Sequence, residues 1–480
     1  MSAIITNSFR RKSCQAFIDE VDNSNKYFIG LGKSDRWPDK NGIDEDHVDY
    51  QAPFPENTLY DNQDVLDSLL ALVRVKETDV LVPKNPWTSN RKYKIYDPLD
   101  PYLFDLEGNE YPCYTTVDDK IFVCLGNDGG ISTIIPSSDT TSFDTVNHVK
   151  VTSDGYQWAF LQDIDQTSHF YTQEFVPVGD DVTDDDPYLS TGGLIYNFKI
   201  ISGGFTVTGN EDIILTGIDR DGNELASVNI TTDPRFLVNI VSGTITSIRY
   251  VDINNDALMG YARAIIKLYD GVVENTDVII RPIVADINGF GSSPINQLPA
   301  YYMGFYARFK GSVDGEALTA LPFRQVSLIY DPERLPEDSL EPTLSDKGEE
   351  YSDDEALDAL EYIQFEPLSI TQELPPSSLI RQINSGAKAY LDKVDLVNTR
   401  IYYHRNSNID VNYIPFNTTD DIIIEPITGG DDVQFSASLM QNIVKSEYIH
   451  NSGEVLFVNN REKIQRNDNQ IEFIKLIAQF

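Results

Sequence analysis

Apolar residues in the first hundred positions recur with two different periods, and each period predicts a different element. Cys14, Phe17, Ile18 and Val21 fall at i, i+3, i+4, i+7, which predicts an amphipathic helix over about 9–22 with Asn7 or Ser8 as its N-cap. Lys26–Gly32 is short, rich in aromatic and branched side chains, and stopped by glycine and the Trp37-Pro38 pair, so it reads as a buried strand. Val65, Leu66, Leu69, Leu70 and Val73 return to the helical period, giving a second helix from Asp61 or Asn62. A strand at Asp79–Val82 follows and Pro83 ends it. The opening is mixed α+β.

From about Tyr111 the pattern becomes short strands between turn residues, as at Lys120–Leu125 before Gly126-Asn-Asp-Gly-Gly130 and at Tyr156–Ile164. Asp212–Ile218 and Glu224–Ile230 flank Arg220-Asp-Gly-Asn223, and Phe236–Val241 and Thr244–Ile253 flank Ser242-Gly243; both read as hairpins. Strand signals at this density over 165–320 predict one or two antiparallel sandwiches. Residues 337–355 are densely acidic and read as a solvated linker. Ser352 and Glu355 have capping-box spacing, predicting a helix with Leu357, Leu360 and Ile363 on one face. Another helix is expected from Ser377 or Ser378 through Leu379, Ile383, Ala387, Tyr390, Leu391 and Val394, with strands returning at Glu454–Val458 and Ile471–Ile477.

Composition narrows the function classes. The 480 residues carry 76 Asp+Glu against 37 Lys+Arg, a net charge of −39, which repels a phosphate backbone and argues against nucleic acid as a partner. With 41% hydrophobic residues the chain has enough apolar side chain for several cores. Cys14, Cys113 and Cys124 are an odd count without paired-ligand spacing, which fits synthesis in a reducing compartment and supports neither a disulfide scaffold nor a zinc ribbon. Apolar runs such as Leu69–Val73 fall far short of a membrane span, so no membrane partner is expected.

Candidate chemistry is thin. Gly30-Leu-Gly-Lys-Ser34 ends like a phosphate-binding loop, but the required glycine five places before Gly32 is Tyr27, and Asp35-Arg-Trp-Pro38 cannot open the helix that would cradle phosphate. Asp219-Arg-Asp-Gly222 imitates a calcium loop, yet Ile230 stands where the bidentate Glu belongs, so a hairpin turn is the better reading. The acidic run at 180–186 reads as a solvated loop. His47, His148, His169, His404 and His450 are scattered, with no metal or triad spacing. Arg10-Arg-Lys12 and the stretch from Lys84 to Lys94 read as surface or interface. No catalytic, cofactor-binding or metal-ligating residue is assigned.

Several blocks together resemble the baseplate wedge subunit of contractile-tailed, myovirus-type bacteriophages, in an enlarged cyanophage-like form. They are Asn7-Ser-Phe-Arg10, Tyr27-Phe-Ile-Gly-Leu-Gly-Lys-Ser34 with Trp37, Pro53-Phe-Pro55, and Val80-Leu-Val-Pro83 to Trp87. Tyr96-Asp-Pro98, Asp100-Pro-Tyr102, Phe122-Val-Cys-Leu125 and Gly155-Tyr-Gln-Trp158 follow in the family's order, then Phe323 to Ile329 with Pro332, and Ser452-Gly-Glu-Val-Leu456 with Asn460-Arg461. Phe205–Gly260 resembles more loosely the β-repeats of other phage structural proteins.

The resemblance implies a non-enzymatic virion protein of the tail baseplate. Such a protein is made and assembled in the host cytoplasm, forms a homodimer and joins other wedge proteins, with no cofactor and no small-molecule substrate. It assigns structural or interface roles to Phe9, Arg10, Tyr27, Gly30, Gly32, Trp37, Trp87, Tyr156, Trp158, Arg324, Gly453 and Arg461. The expected fold is α+β, mostly β, with a terminal α+β domain from 1–165 plus 452–480, inserted antiparallel β-sandwich modules at 166–322, and a segment of strand, linker and helices at 323–451. Competing readings are a carbohydrate-active or receptor-binding tail protein, prompted by the acidic β-rich middle and its 26 tyrosines, and a calcium-stabilised adhesion module.

Overall fold

The computed structural model describes residues 5–37, 49–100, 103–104, 112–127, 129–136, 149–179, 192–251, 253, 258–286, 288–310, 321–335, 356–406, 409–427, 429–467 and 470–480. The acidic stretches expected at 180–186 and 337–355 lie outside them. With 44% strand and 8% helix in several antiparallel sheets, the chain has the α+β, mostly β character read from its pattern. It divides into two compact units, Met1–Phe17 with Asp79–Gly304 and Gln479–Phe480, and Ile18–Thr78 with Phe305–Ala478. These bounds differ from the segments read from the sequence, because strands at either side of residues 79–304 pair with each other.

The second unit contains a five-stranded antiparallel sheet ordered Ala356–Asp358, Leu69–Arg74, Tyr27–Gly32, Phe323–Tyr330, Glu454–Ile464. Strand Tyr27–Gly32 is buried along its whole length, which is why it reads as a continuous apolar run. The second helix is shorter than expected. It spans Leu59–Asp67, starts where Thr58 accepts from the Asp61 N–H at 3.1 Å, and stops at Ser68. Leu69, Leu70 and Val73 belong instead to strand Leu69–Arg74. An unbroken Leu-Leu-Ala-Leu-Val run satisfies a helical period and a two-faced buried strand equally, and pairing on both edges selects the strand. Phe28, Leu66, Leu69, Leu72, Ile329 and Leu357 form the core beneath this helix.

A seven-stranded antiparallel sheet follows in the same unit, ordered Val433–Phe435, Ile422–Glu425, Leu379–Gln382, Lys388–Asp395, Arg400–His404, Glu361–Phe365, Met440–Val444. It replaces both helices expected after residue 352. The capping-box residues Ser352 and Glu355 lie outside the described residues, and the segment after them forms strand Ala356–Asp358 of the five-stranded sheet and strand Glu361–Phe365, in which Glu361, Ile363 and Phe365 point inward while Tyr362 and Gln364 alternate outward. The expected helix over 377–394 is the hairpin Leu379–Gln382 and Lys388–Asp395, turned at Gly386 with φ +79°. Its register shifts between Leu391 and Lys393 opposite Arg400–His404, so Leu391 and Asp392 are both buried. That bulge breaks the alternation and leaves Leu391 and Val394 three apart, a spacing that mimics a helix.

The first unit holds the sheet Tyr114–Val117, Lys120–Gly126, Gln157–Asp163, Val149–Val151, with Tyr93, Phe122, Cys124, Tyr156 and Trp158 in its core. The hairpin Phe236–Val241 and Thr244–Tyr250 forms as read, with positive φ at Ser242 (+50°) and Gly243 (+78°). Asp212–Ile218 pairs with Arg263–Asp270, and its expected hairpin partner shrinks to Val228–Asn229 plus one bridge at Glu224. The opening helix runs Asn7–Asp22 and buries Cys14, Ile18 and Val21. Its cap is Thr6, whose Oγ1 accepts from the Phe9 N–H at 3.2 Å, rather than Asn7 or Ser8.

Candidate functional site

The Gly-Leu-Gly-Lys-Ser motif ends strand Tyr27–Gly32, and its glycines serve the sheet. A Cβ on Gly30 would lie 2.6 Å from Ser327 Oγ and 2.7 Å from Leu69 Cδ2, and one on Gly32 would lie 3.1 Å from the Ser68 carbonyl oxygen. Neighbouring strands approach too closely for any side chain at Gly30. Beyond the strand the backbone turns at Lys33, with φ +60°, and Lys33–Trp37 form no helix. The phosphate-loop reading therefore fails on structure as well as on spacing.

That turn drives three polar side chains into the interior of the second unit, where they join groups from distant segments. Lys33, Ser34, Asp35, Asp392 and His404 are all buried. Lys33 Nζ lies 2.8 Å from Asp35, 3.7 Å from Asp64 and 5.0 Å from the centre of the Trp37 ring. His404 Nδ1 sits 2.9 and 3.0 Å from the two oxygens of Asp392, to which the Ser34 hydroxyl also donates. Its Nε2 faces Asp35 Oδ1 at 3.7 Å. The Asn406 amide donates to Asp64 at 2.7 Å.

Neighbouring charges favour the ionised forms of Lys33, Asp35 and His404. Burial disfavours the Lys33 ammonium, but Asp35 and Asp64 outweigh it and hold its pKa above the ordinary value. For Asp35 burial acts in the opposite sense, and the cations Lys33, His404 and Arg324 still hold its carboxyl below the usual range. Burial likewise opposes the imidazolium of His404, yet Asp392 and Asp35 raise its pKa. Buried charges persist only with such partners.

A second, adjoining set holds the segment after the motif. Arg324 contacts Asp49 through Nε, at 2.9 and 3.1 Å, and through Nη2 at 2.6 Å, while Nη1 donates to the Ser34 carbonyl. The Trp37 N–H also donates to Asp49, at 3.1 Å, and its indole N–H donates to the Arg461 carbonyl at 2.8 Å. Gln325 donates to Asn460, which in turn donates to the Pro53 carbonyl at 3.1 Å. Gly453, at φ +85°, lies under Ile329 and Tyr330, and Tyr27 packs its ring 5.0 Å from that of Tyr330. Seven of the twelve residues singled out from sequence, Tyr27, Gly30, Gly32, Trp37, Arg324, Gly453 and Arg461, thus sit on or beside one ladder of three strands.

No family model matches this chain, and no curated protein matches it. The other five singled-out residues belong to the first unit. Trp158 is fully buried and stacks on Tyr156 with ring centres 5.4 Å apart; the Tyr156 hydroxyl donates to the Gly130 carbonyl and accepts from the Tyr93 N–H. Trp87 packs against this core and donates to Ser132 Oγ at 3.0 Å. Arg10 donates to the Phe480 carbonyl at 3.3 Å, and Phe9 is exposed.

The chemistry of the buried cluster follows from who faces whom. A nucleophilic hydroxyl must meet an imidazole nitrogen, but Ser34 and His404 Nδ1 both turn to the same carboxylate. With Lys33, Ser34, Asp35, Asp392 and His404 buried, the arrangement fixes charge and position. Sequence reasoning left His404 among scattered histidines and passed over Asp392 and Asp64, because nothing in linear spacing announces contacts as distant as Ser34 with Asp392 or Asp64 with Asn406. The one local signal was Lys33-Ser-Asp35 directly after a fully apolar strand.

Proposed function

We propose that this chain is a structural protein of a contractile-phage tail baseplate, a wedge component that dimerises and joins other wedge proteins during assembly in the host cytoplasm. The observation that carries the reading is spatial. Blocks from residues 27–37, 323–329 and 452–461, which resemble that family in order, lie on adjacent strands joined by the Trp37–Arg461 and Arg324–Ser34 contacts. Chance resemblances have no reason to share a ladder. The blocks at 87, 122–125 and 155–158 likewise gather into one core.

Binding rather than turnover is supported by the surface. Phe54, Leu59 and Tyr60 are 92%, 79% and 81% exposed within seven residues, a concentration of apolar side chain suited to a protein partner. The experiment is co-expression with the genomic neighbours, followed by sedimentation. A heteromeric wedge containing a dimer of this chain is expected. A persistent monomer that binds none of them would defeat the proposal.

A further inference from the structure

The first unit contains a cavity of about 510 Å³ whose charge runs against that of the whole chain. Lys92, Lys94 and Lys199 line it together with Asp97 and Asp100. Asp97 is shared by Lys199, at 3.5 Å, and Arg281, which reaches it from the paired strand; Asp100 is met by Lys94 at 3.3 Å. Lys92 has no ion-pair partner among the described residues. Three lysines and two carboxylates therefore line the cavity, with Arg281 as a further cation on Asp97, in a chain where carboxylates outnumber cations 76 to 37.

The walls are fixed. Tyr93 is pinned by the Tyr156 hydroxyl and by Asn127, which donates to its carbonyl at 2.8 Å, and Lys94 N–H donates to the Pro112 carbonyl at 3.0 Å. On the opposite side Asn197 donates to the Leu125 carbonyl at 2.9 Å, holding the strand that carries Phe198 and Lys199. Ile95, Phe198 and Ile283 give the cavity an apolar lining between the ammonium groups. The volume lies within the range of small-molecule sites, and preorganised walls reduce the entropy lost on binding.

We propose that this cavity binds a small polyanion, a di- or tricarboxylate or a phosphate ester on a compact apolar or planar body. The lining holds one more cation than carboxylate, and Arg281 adds a further positive charge on Asp97, so the cavity favours an anion. The net charge of the chain repels anions elsewhere, so the local inversion makes this site selective. The same chemistry could be supplied by free solute or by acidic side chains of a second copy. The proposal stands apart from the baseplate reading.

The test uses calorimetric titration of the full chain with citrate, benzene-1,3,5-tricarboxylate and inorganic pyrophosphate. Saturable binding of at least one tricarboxylate is expected, weakened about tenfold or more by Lys92→Gln and by Lys199→Gln and unaffected by Lys12→Gln on the exposed face of the opening helix. Weakening is also expected as salt rises from about 50 to 200 mM. Sedimentation with and without citrate separates the two sources: citrate that dissolves a dimer identifies a second copy as the natural occupant, and citrate that binds without changing mass identifies a solute. Absence of binding up to about 10 mM of all three probes, or equal loss in the Lys12→Gln control, overturns the proposal.

Discussion

Removing His404 should expose what the buried cluster contributes. A His404→Leu chain keeps the volume of the site but leaves Asp392 with only the Ser34 hydroxyl and deprives Asp35 of one of its cations. Breaking a buried ion pair from one side costs about 3–5 kcal/mol, because the remaining charge stays desolvated. The unit that holds it has about 235 residues, and at roughly 2.1 cal/mol/K per residue that loss lowers its melting temperature by about 6–10 °C. Differential scanning calorimetry of His404→Leu, Asp392→Leu and the double variant reads the coupling directly. The double variant is expected to lose less than the sum of the singles by about 2 kcal/mol. The pH dependence has a defined sign. His404 has a raised pKa in the folded state, so its ionic contribution is fully present below the unfolded value near 6.5 and is lost as pH rises through the folded value. Additive singles within about 0.5 kcal/mol, or a wild-type pH slope that survives in His404→Leu, would refute the reasoning.

Three further outcomes follow from other sites. Burial raises the Asp358 carboxyl to about 7, so its contribution is complete below the unfolded value and falls as pH climbs towards 7, by at most about 1.4 kcal/mol per unit and less where water reaches it; Asp358→Asn should raise the urea midpoint at pH 8 and leave it nearly unchanged at pH 4. Gly30→Ala should destabilise by about 1–3 kcal/mol through collision with Ser327 and Leu69, whereas Gly130→Ala, whose nearest neighbour would be 3.7 Å away, serves as a tolerated control in the same denaturation assay. Trp158→Ala should cost about 3–5 kcal/mol in urea titration, against about 0.5 kcal/mol or less for Phe54→Ala, and equal effects would contradict the assignment of one as core and the other as surface.

The parts of the fold legible in the sequence are those where local pattern and tertiary demand agree. Asn7–Asp22 has one apolar stripe, Tyr27–Gly32 is apolar on both faces, and Ser242-Gly243 supplies the positive φ its turn requires. Local pattern misled where a strand is irregular. The bulge after Leu391 and the two-faced strand Leu69–Arg74 both produce helical spacing without a helix, and only their neighbours in the sheet decide the matter. The motif blocks drew attention to Gly30, Trp37, Arg324 and Arg461 before any contact was known. Asp49, which meets Arg324 and Trp37, and the buried pair Asp392 and His404 gave no sign, since a charge flanked by ordinary residues looks the same whether it meets water or another charge.

The ladder that joins residues 27–32, 323–330 and 454–464 also sets a timetable for biosynthesis. At about 5–20 residues per second, roughly 20 to 85 s separate the emergence of its first strand from that of its last. Residues 79–304 are complete well before then and are free to fold first on the ribosome. The early strand can pair on one edge with Leu69–Arg74 soon after synthesis, but its other edge waits for Phe323–Tyr330 and meanwhile stays open to any extended segment nearby. Slower elongation lengthens that exposure, so yield of soluble chain should respond to translation speed and to holdase chaperones more strongly than that of a chain whose strands pair in order of synthesis.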